Sequence, residues 1–213
     1  MFIKELVFIK NIFYFKFNIF YNIKTNKKEV IKLIVLSKYN RKVIHDFIKK
    51  NVKVIIPGDF VGNKFKSIES LDYLYRLHKK GKIILLKGDR EEKIIDAFCK
   101  KYYLSLEEEL EKRNGLFYKL YFDKELQTKY IDNFILKLPK AVIVDGFEIS
   151  HAGTPELSEA DNFVIPDSDK KRIITHFSID EEFKKDKNTV IMSSRFVSVF
   201  DTENNKITVI DKK

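Results

Sequence analysis

Two carboxylates and two imidazoles in this chain each stand directly after a short run of apolar residues. They are Asp59 after residues 54–57, Asp89 after 83–87, His151 after 147–150 and His176 after 173–175. Runs of this kind that stop at a polar residue are typical of buried parallel strands. Because ligands of open α/β sheets bind beyond the carboxyl ends of such strands, we expect the four side chains to converge at one sheet edge. Carboxylates and imidazoles together suit a divalent transition metal.

The segments that must position these residues alternate between strand and helix patterns. Residues 30–37 form a buried-strand pattern, and helical spacing of apolar residues begins at Arg41 and again near Ser67. Strand–helix–strand order predicts a parallel sheet with right-handed crossovers. Residues 91–138 have a helical, charge-rich pattern. Residues 189–210 alternate between apolar and polar and are split at 201–205, which predicts a closing antiparallel hairpin.

The bulk composition is that of one globular domain. The chain has 213 residues, of which 44% are hydrophobic and 34% charged. A single cysteine, Cys99, excludes an internal disulfide framework and fits a reducing compartment, so we expect a cytoplasmic protein. The net charge of +10 is spread along the whole chain and accompanies no nucleic-acid-binding motif. A basic nucleic-acid-binding protein therefore stays a minor alternative.

The first part of the chain is rich in aromatic residues and reads as an extension of the main domain. We expect residues 1–29 to form this extension, with a hairpin at the edge of a sheet, and residues 30–213 to form the domain. Charged residues interrupt the apolar stretch, which is not the run of about 20 residues that a transmembrane helix needs. A segment lying on a membrane surface is the alternative for residues 1–26.

Four segments follow one another along the chain: Gly58-Asp59-Phe60-Val61, Gly88-Asp89-Arg90-Glu91, His151-Ala152-Gly153 and Thr175-His176. In this order they resemble the motifs of the calcineurin-like metallophosphoesterases, and most closely those of the branch that holds bacterial Ser/Thr protein phosphatases and symmetrical diadenosine tetraphosphatases. The resemblance covers residues 30–210. It implies an α/β fold in which central mixed β-sheets are flanked by helices, as a four-layer α/β/β/α sandwich. It also implies a metal-dependent phosphoester hydrolase.

The chain departs from this family at several positions, among them Gly62-Asn63 in place of a later Asp-Arg pair of the second motif and Asp89 in place of a metal-binding asparagine. The first motif falls at residues 37–40, where Lys38 stands for the family's aspartate and Asn40 for its histidine. Arg90 stands for the histidine that protonates the leaving group. The resemblance thus implies that one metal site is lost and the other kept. The kept site would hold one divalent ion, Mn, Fe or Zn, through Asp59, Asp89, His151 and His176.

Two functions follow from these departures. Asp59 and Arg90 are the candidate catalytic residues, but a guanidinium has a pKa above about 12 and cannot protonate a leaving group. Arg90 can bind phosphate bidentately, and Lys38 and Asn40 are candidates for the same role. The chain is thus either a weak or altered one-metal phosphoesterase or a non-catalytic pseudophosphatase. The latter would bind a phosphate-containing ligand, a phosphoprotein or another protein partner.

Overall fold

The computed structural model describes residues 21–22, 32–61, 68–100, 120, 122–151, 171–175, 183–186, 188–193 and 195–211. In this part of the chain the strands are β1 (Tyr21–Asn22), β2 (Leu33–Leu36), β3 (Lys53–Ile56), β4 (Ile83–Leu85), β5 (Ala141–Val144), β6 (Phe147–Ser150), β7 (Lys171–Ile174), β8 (Phe183–Asp186), β9 (Thr189–Met192), β10 (Val197–Asp201) and β11 (Lys206–Asp211). The helices are α1 (Arg41–Lys49), α2 (Ile68–Lys79), α3 (Asp89–Lys100) and the short α4 (Lys124–Leu126). A π-helix (Gln127–Asp132) and a 3-10 helix (Ile135–Lys137) follow α4.

The strands form two mixed sheets. In the first sheet the order is β11-β10-β2-β3-β4, with β2, β3 and β4 parallel and β10 antiparallel to β2. In the second sheet the order is β1-β5-β6-β7-β9-β8, with β6, β7 and β9 parallel to one another. Helices α1 and α2 connect the parallel strands of the first sheet. These connections are the crossovers that the alternating sequence pattern predicts.

The side chains of β2 explain how the two sheets and the helices pack. Ile34 and Leu36 are buried against the helices, in a core that includes Val43, Leu71 and other apolar residues of α1 and α2. Leu33 and Val35 point to the other side and are buried against the second sheet. Because both faces of the strand are covered, it needs apolar residues at every position, which is the continuous pattern seen in the sequence.

Local signals fix the ends of the first two helices. The side chain of Asn40 accepts a hydrogen bond from the Val43 N–H at 3.2 Å and so caps the start of α1. Gly81 follows α2 with a φ of +65°, in the left-handed region that ends many helices. The predicted starts of both helices, at Arg41 and near Ser67, agree with the structure to within about two residues.

The predicted fold class is confirmed: the chain is an α/β protein with two mixed sheets flanked by helices. The closing hairpin is confirmed for β10 and β11, which pair antiparallel. The prediction was wrong in including β9, which lies between β7 and β8 in the other sheet. Alternating residues identify a strand but not its partner, because pairing between distant strands depends on the whole fold.

Part of the predicted edge hairpin at the start of the chain lies outside the described residues. Tyr21 and Asn22 form β1, which pairs parallel with β5 at the edge of the second sheet. The hairpin itself and the boundary between residues 29 and 30 stay predictions. Among the helices of the described residues, none is long and apolar enough to cross a membrane.

Candidate functional site

Side chains from both sheets meet at the carboxyl ends of the parallel strands. Asp59 follows β3 in the first sheet, and His151 follows β6 in the second. The Oδ1 atom of Asp59 lies 3.4 Å from the Nε2 atom of His151. The side chain of His151 is 5% exposed and that of Asp59 is 29% exposed, so the imidazole is buried and the carboxylate is partly accessible to solvent. Two of the four predicted ligands are therefore neighbours in space although 92 positions separate them in the chain.

The carboxylate of Asp59 also caps a helix that begins on the next strand. Helix α3 starts at Asp89, directly after Gly88, which has no side chain to accept a backbone N–H. The Oδ1 atom of Asp59 accepts the N–H of Arg90 at 3.0 Å instead. A negative charge at a helix N-terminus is stabilised by the unpaired N–H groups there. Asp59 thus has a structural role in addition to its predicted chemical one.

The side chain of Arg90 covers the other oxygen of the same carboxylate. Its Nε atom lies 3.4 Å from Oδ2 of Asp59, and the guanidinium group is partly exposed. Burial of Asp59 raises the pKa of its carboxyl. Contacts with His151 and Arg90 lower this pKa by more than burial raises it, so the net shift is downward. Asp59 is therefore an anion with cationic or hydrogen-bonding partners on both oxygens.

Glu91 holds the site together, although sequence reasoning gave it no role. It is fully buried, and its carboxylate accepts the N–H groups of Asp59, Val61 and Gly88, each at 2.8 Å. Burial raises the pKa of Glu91 to about 7, aided by the charge of Asp59 and opposed by the three N–H donors. The signal in the sequence was its position three residues after Gly88, where an acid reaches back to the residue preceding a helix.

Two glycines let the loops after β3 and β4 approach each other. A Cβ atom on Gly58 would lie 2.5 Å from the backbone nitrogen of Gly88, and one on Gly88 would lie 2.6 Å from the nitrogen of Asp59. Gly58 has a φ of +119°, and Asp59 follows with a φ of +54°. The close contact excludes a larger residue at both glycines, and the positive φ disfavours one at Gly58 as well.

The fourth predicted ligand follows β7. Strands β6 and β7 are parallel, with Ser150 opposite Ile174, and the Thr175 N–H donates to the carbonyl of His151 at 3.2 Å. His176 is the next residue in the sequence but lies outside the described residues. Asp89, the remaining predicted ligand, is the first residue of α3. The metal-binding roles of all four residues stay predictions.

Lys38 and Asn40 follow β2 at the same edge. The Oδ1 atom of Asn40 is engaged by the Val43 N–H, so this residue has a local capping role whatever else it binds. Neighbouring Ser37 is fixed by two hydrogen bonds: its hydroxyl donates to the Phe196 carbonyl and accepts from the Ser198 N–H. The segment that carries Lys38 is thus anchored to the start of β10 and to the residue that precedes it.

Two lysines add positive charge at this edge, and sequence reasoning did not single them out. Lys87 precedes Gly88, and its Nζ atom lies 3.6 Å from Oε1 of Glu92, which the Nζ atom of Lys140 approaches to 3.4 Å. Burial lowers the pKa of Lys87. The carboxylate of Glu92 therefore faces two ammonium groups, one of them from the segment that follows β4.

The donor pair formed by Asp59 and His151 fits a divalent ion. Two ligands of a tetrahedral ion with bonds of about 2.1 Å lie about 3.4 Å apart, which is the separation of Oδ1 and Nε2. Within the part of the chain that the structure describes, which excludes His176, no three His, Cys, Asp or Glu side chains are grouped closely enough to hold a metal. Among the described residues, Asp59 and His151 therefore have the separation of two ligands of such an ion, Asp89 does not complete a group of three with them, and their role as ligands stays a prediction.

The sequence matches no known family profile and no curated protein at a significant level. The structure is similar to one described as the crystal structure of a proposed diadenosine tetraphosphatase, with a TM-score of 0.54, 12% identity, and coverage of 89% of this chain and 97% of the other. It is also similar to the structure of a hypothetical protein from Pyrococcus horikoshii OT3, with a TM-score of 0.52, 14% identity, and coverage of 86% and 87%. At these identities the comparison establishes a shared fold.

Proposed function

We propose that this chain binds a phosphate ester at the edge where Asp59 and His151 meet, together with one divalent ion, and hydrolyses it slowly. The observation that carries the proposal is the 3.4 Å approach of a carboxylate and an imidazole from the ends of strands in two different sheets. One of the two similar structures has the name of a phosphoesterase, which supports a phosphate-containing substrate. In this proposal the ion is Mn, Fe or Zn, held by Asp59, Asp89, His151 and His176.

The chain's own residues divide the work of the proposed reaction. Arg90 orients the phosphate, since its planar guanidinium can donate two parallel hydrogen bonds to phosphate oxygens. Glu91 fixes the backbone that carries Asp59 and Gly88. When bound, the divalent ion would lower the pKa of a water molecule toward about 7 and polarise the phosphoryl group.

Two features of the chain make slow turnover the expected outcome. Arg90 cannot donate a proton to the leaving group, and loss of such an acid removes about 10²–10⁴-fold in rate. In the proposed assignment, Lys38 and Asn40 replace the ligands of a second ion, so one clamp on the phosphate oxygens is missing. The Lys38 ammonium would supply part of the missing positive charge.

A second function is favoured by the contact between Arg90 and Asp59. A guanidinium 3.4 Å from the carboxylate already balances its charge without any metal. This arrangement suits a non-catalytic module that binds a phosphorylated ligand or partner through Arg90. The two functions differ in whether the chain turns over a phosphate ester in the presence of a divalent ion.

Hydrolysis of a generic aryl phosphate with added Mn²⁺ separates the two functions, because an aryl leaving group has the least need of an acid. We expect slow turnover that is abolished by a chelator and by Asp59→Asn or His151→Ala. The Asn side chain keeps an oxygen for the Arg90 N–H, so the cap on α3 survives while the charge is lost. Asp46→Asn and His45→Ala, exposed on α1, are the matched controls. Absence of metal-dependent turnover on aryl, nucleotide and peptide phosphates favours the binding module.

Elemental analysis of the purified protein tests the ligand assignment. We expect at most one equivalent of divalent ion per chain, lost in both His151→Ala and His176→Ala. Two equivalents would show that Lys38 and Asn40 are misassigned. Unchanged binding in both histidine variants would contradict the proposed ligand set.

A further inference from the structure

Arg90 contacts both oxygens of the Asp59 carboxylate, which is a ligand of the proposed metal ion. The backbone N–H of Arg90 donates to Oδ1 of Asp59 at 3.0 Å, and its side-chain Nε atom lies 3.4 Å from Oδ2. The backbone contact is fixed, because it caps α3. The side-chain contact is different in kind: the Arg90 side chain is 40% exposed, and its guanidinium lies at the end of several rotatable bonds.

The Asp59 carboxylate cannot bind the Arg90 guanidinium and a divalent ion equally well at the same time. Oδ1 is already shared between the Arg90 N–H and the imidazole of His151. A divalent ion bound by this carboxylate and His151 would lie within a few ångströms of the guanidinium and be repelled by it. Metal binding therefore competes with the Arg90–Asp59 ion pair.

A phosphate removes this competition. A guanidinium pairs with phosphate oxygens as well as with a carboxylate, through the same fork of N–H donors. Once the Arg90 side chain has turned to a phosphate, Oδ2 of Asp59 is free. The phosphate then also brings negative charge next to the ion.

Resting on the proposed function, we infer that Arg90 makes this a site for a divalent ion and a phosphate together, and a poor site for the free ion. Without an anion the guanidinium pairs with Asp59 and opposes metal binding. With an anion it leaves Asp59 and holds the phosphate. The two ligands therefore bind with positive coupling, each raising the affinity for the other by the same factor.

The test is calorimetric titration of Mn²⁺ into the full chain, with and without inorganic phosphate. The two titrations are compared at equal concentrations of free Mn²⁺. For the unmodified chain we expect phosphate to raise Mn²⁺ affinity by about 5- to 150-fold, the usual range of coupling between two sites. Arg90→Ala and Arg90→Met should bind Mn²⁺ more tightly than the unmodified chain when no phosphate is present. They should also gain less from added phosphate. Circular dichroism and thermal melts establish that each variant is folded.

The higher affinity for Mn²⁺ alone is the decisive result, because a phosphate that bridges to the ion gives some coupling even without Arg90. Arg76→Ala is the matched control, since Arg76 also pairs with an aspartate, Asp72, and lies on α2. It should leave both affinities unchanged. If Arg90→Ala and Arg90→Met bind Mn²⁺ no better than the unmodified chain, the inference is overturned. If His151→Ala binds Mn²⁺ as the unmodified chain does, the proposed site itself is wrong.

Discussion

Glu91 uses both carboxylate oxygens to accept the N–H groups of Asp59, Val61 and Gly88. In Glu91→Gln the amide oxygen can keep the two N–H groups that share one position, but the NH₂ group then faces the Val61 N–H, donor against donor. We expect a loss of about 1–3 kcal/mol in the free energy of unfolding, the usual cost of an unsatisfied buried polar group. Urea unfolding measures it, with Glu125→Gln at an exposed position as the control. Equal stability of the two variants would contradict the stabilising role of the hydrogen bonds that Glu91 accepts.

Asn40 is a second residue whose local role affects a functional test. Building the second metal site that the proposal regards as lost, by Lys38→Asp with Asn40→His, also removes the cap of α1. We expect Asn40→Ala to cost about 0.5–2 kcal/mol in the free energy of unfolding, and Asn40→Asp to cost much less, since Asp also caps helices. Thermal or urea unfolding of the single variants provides this comparison. If Asn40→Ala is neutral, the cap contributes nothing, and the double variant can be interpreted without correction.

At the scale of elements, the contact between the loops after β3 and β4 gives a sharp prediction. Gly58→Ala places a Cβ atom 2.5 Å from the Gly88 nitrogen, whereas a Cβ atom on Gly81 has nothing within 4 Å. Both glycines have positive φ, so both variants carry backbone strain of about 1 kcal/mol. Urea unfolding should show Gly58→Ala to be the less stable by a clear margin. Similar losses in both variants would mean that the loops can move apart easily.

Helix α2 is tied to the π-helix by one carboxylate. Asp72 accepts hydrogen bonds from the Tyr130 hydroxyl at 2.7 Å and Lys129 at 3.0 Å, and it also pairs with Arg76. The Tyr130 hydrogen bond is the largest cause that lowers the pKa of Asp72 to about 2, and burial opposes the shift. A folded-state pKa below the usual 3.8 stabilises the protein above that pH, and this stabilisation is lost as the pH falls through about 2.

The expected result is a pH-dependent effect of Asp72→Asn on thermal stability. The difference in Tm between the unmodified chain and the variant should be largest near neutral pH and shrink as the pH falls from about 5 to about 2. Tyr130→Phe removes the first cause of the shift and should give an intermediate profile. A difference that stays constant over this range would contradict the role assigned to the ion pair.

At the scale of the whole molecule, the proposed ion should stabilise the fold. A ligand that binds only the folded state at a hundredfold excess over its Kd adds about 2.7 kcal/mol. For a chain of this size that corresponds to a rise in Tm of about 5–10 °C. Thermal melts with and without Mn²⁺ and phosphate should show this rise for the unmodified chain and for His45→Ala, but not for His151→Ala. A rise of the same size in His151→Ala would place the ion elsewhere.

The sequence was most informative where local pattern decides structure. Strands β2, β3 and β4 are continuous apolar runs because both faces are buried, and α1 and α2 show regular apolar spacing. Their order alone puts Asp59 at a ligand-binding edge. The partner of β9 and the π-helix depend on contacts between distant segments, which a local pattern does not contain. For the same reason, the pairing of Asp59 with Arg90 could not be derived from spacing, and neither could the contacts of Glu91 with the N–H groups of Asp59 and Val61.

The close contact of Gly58 and Gly88 has a consequence for which residues of this site can change during evolution. A lineage that no longer needs hydrolysis is released from selection on ligands, but atoms still cannot overlap, so both glycines must persist. Glu91 must persist with them, because three backbone groups depend on it. We therefore expect these three residues in relatives of this fold whether or not those relatives hydrolyse a phosphate ester, so their presence alone does not indicate catalysis. The side chain of Arg90 is partly exposed, so its residue type can change at little cost to the fold. The residue found at positions of this kind therefore indicates whether catalysis is still under selection.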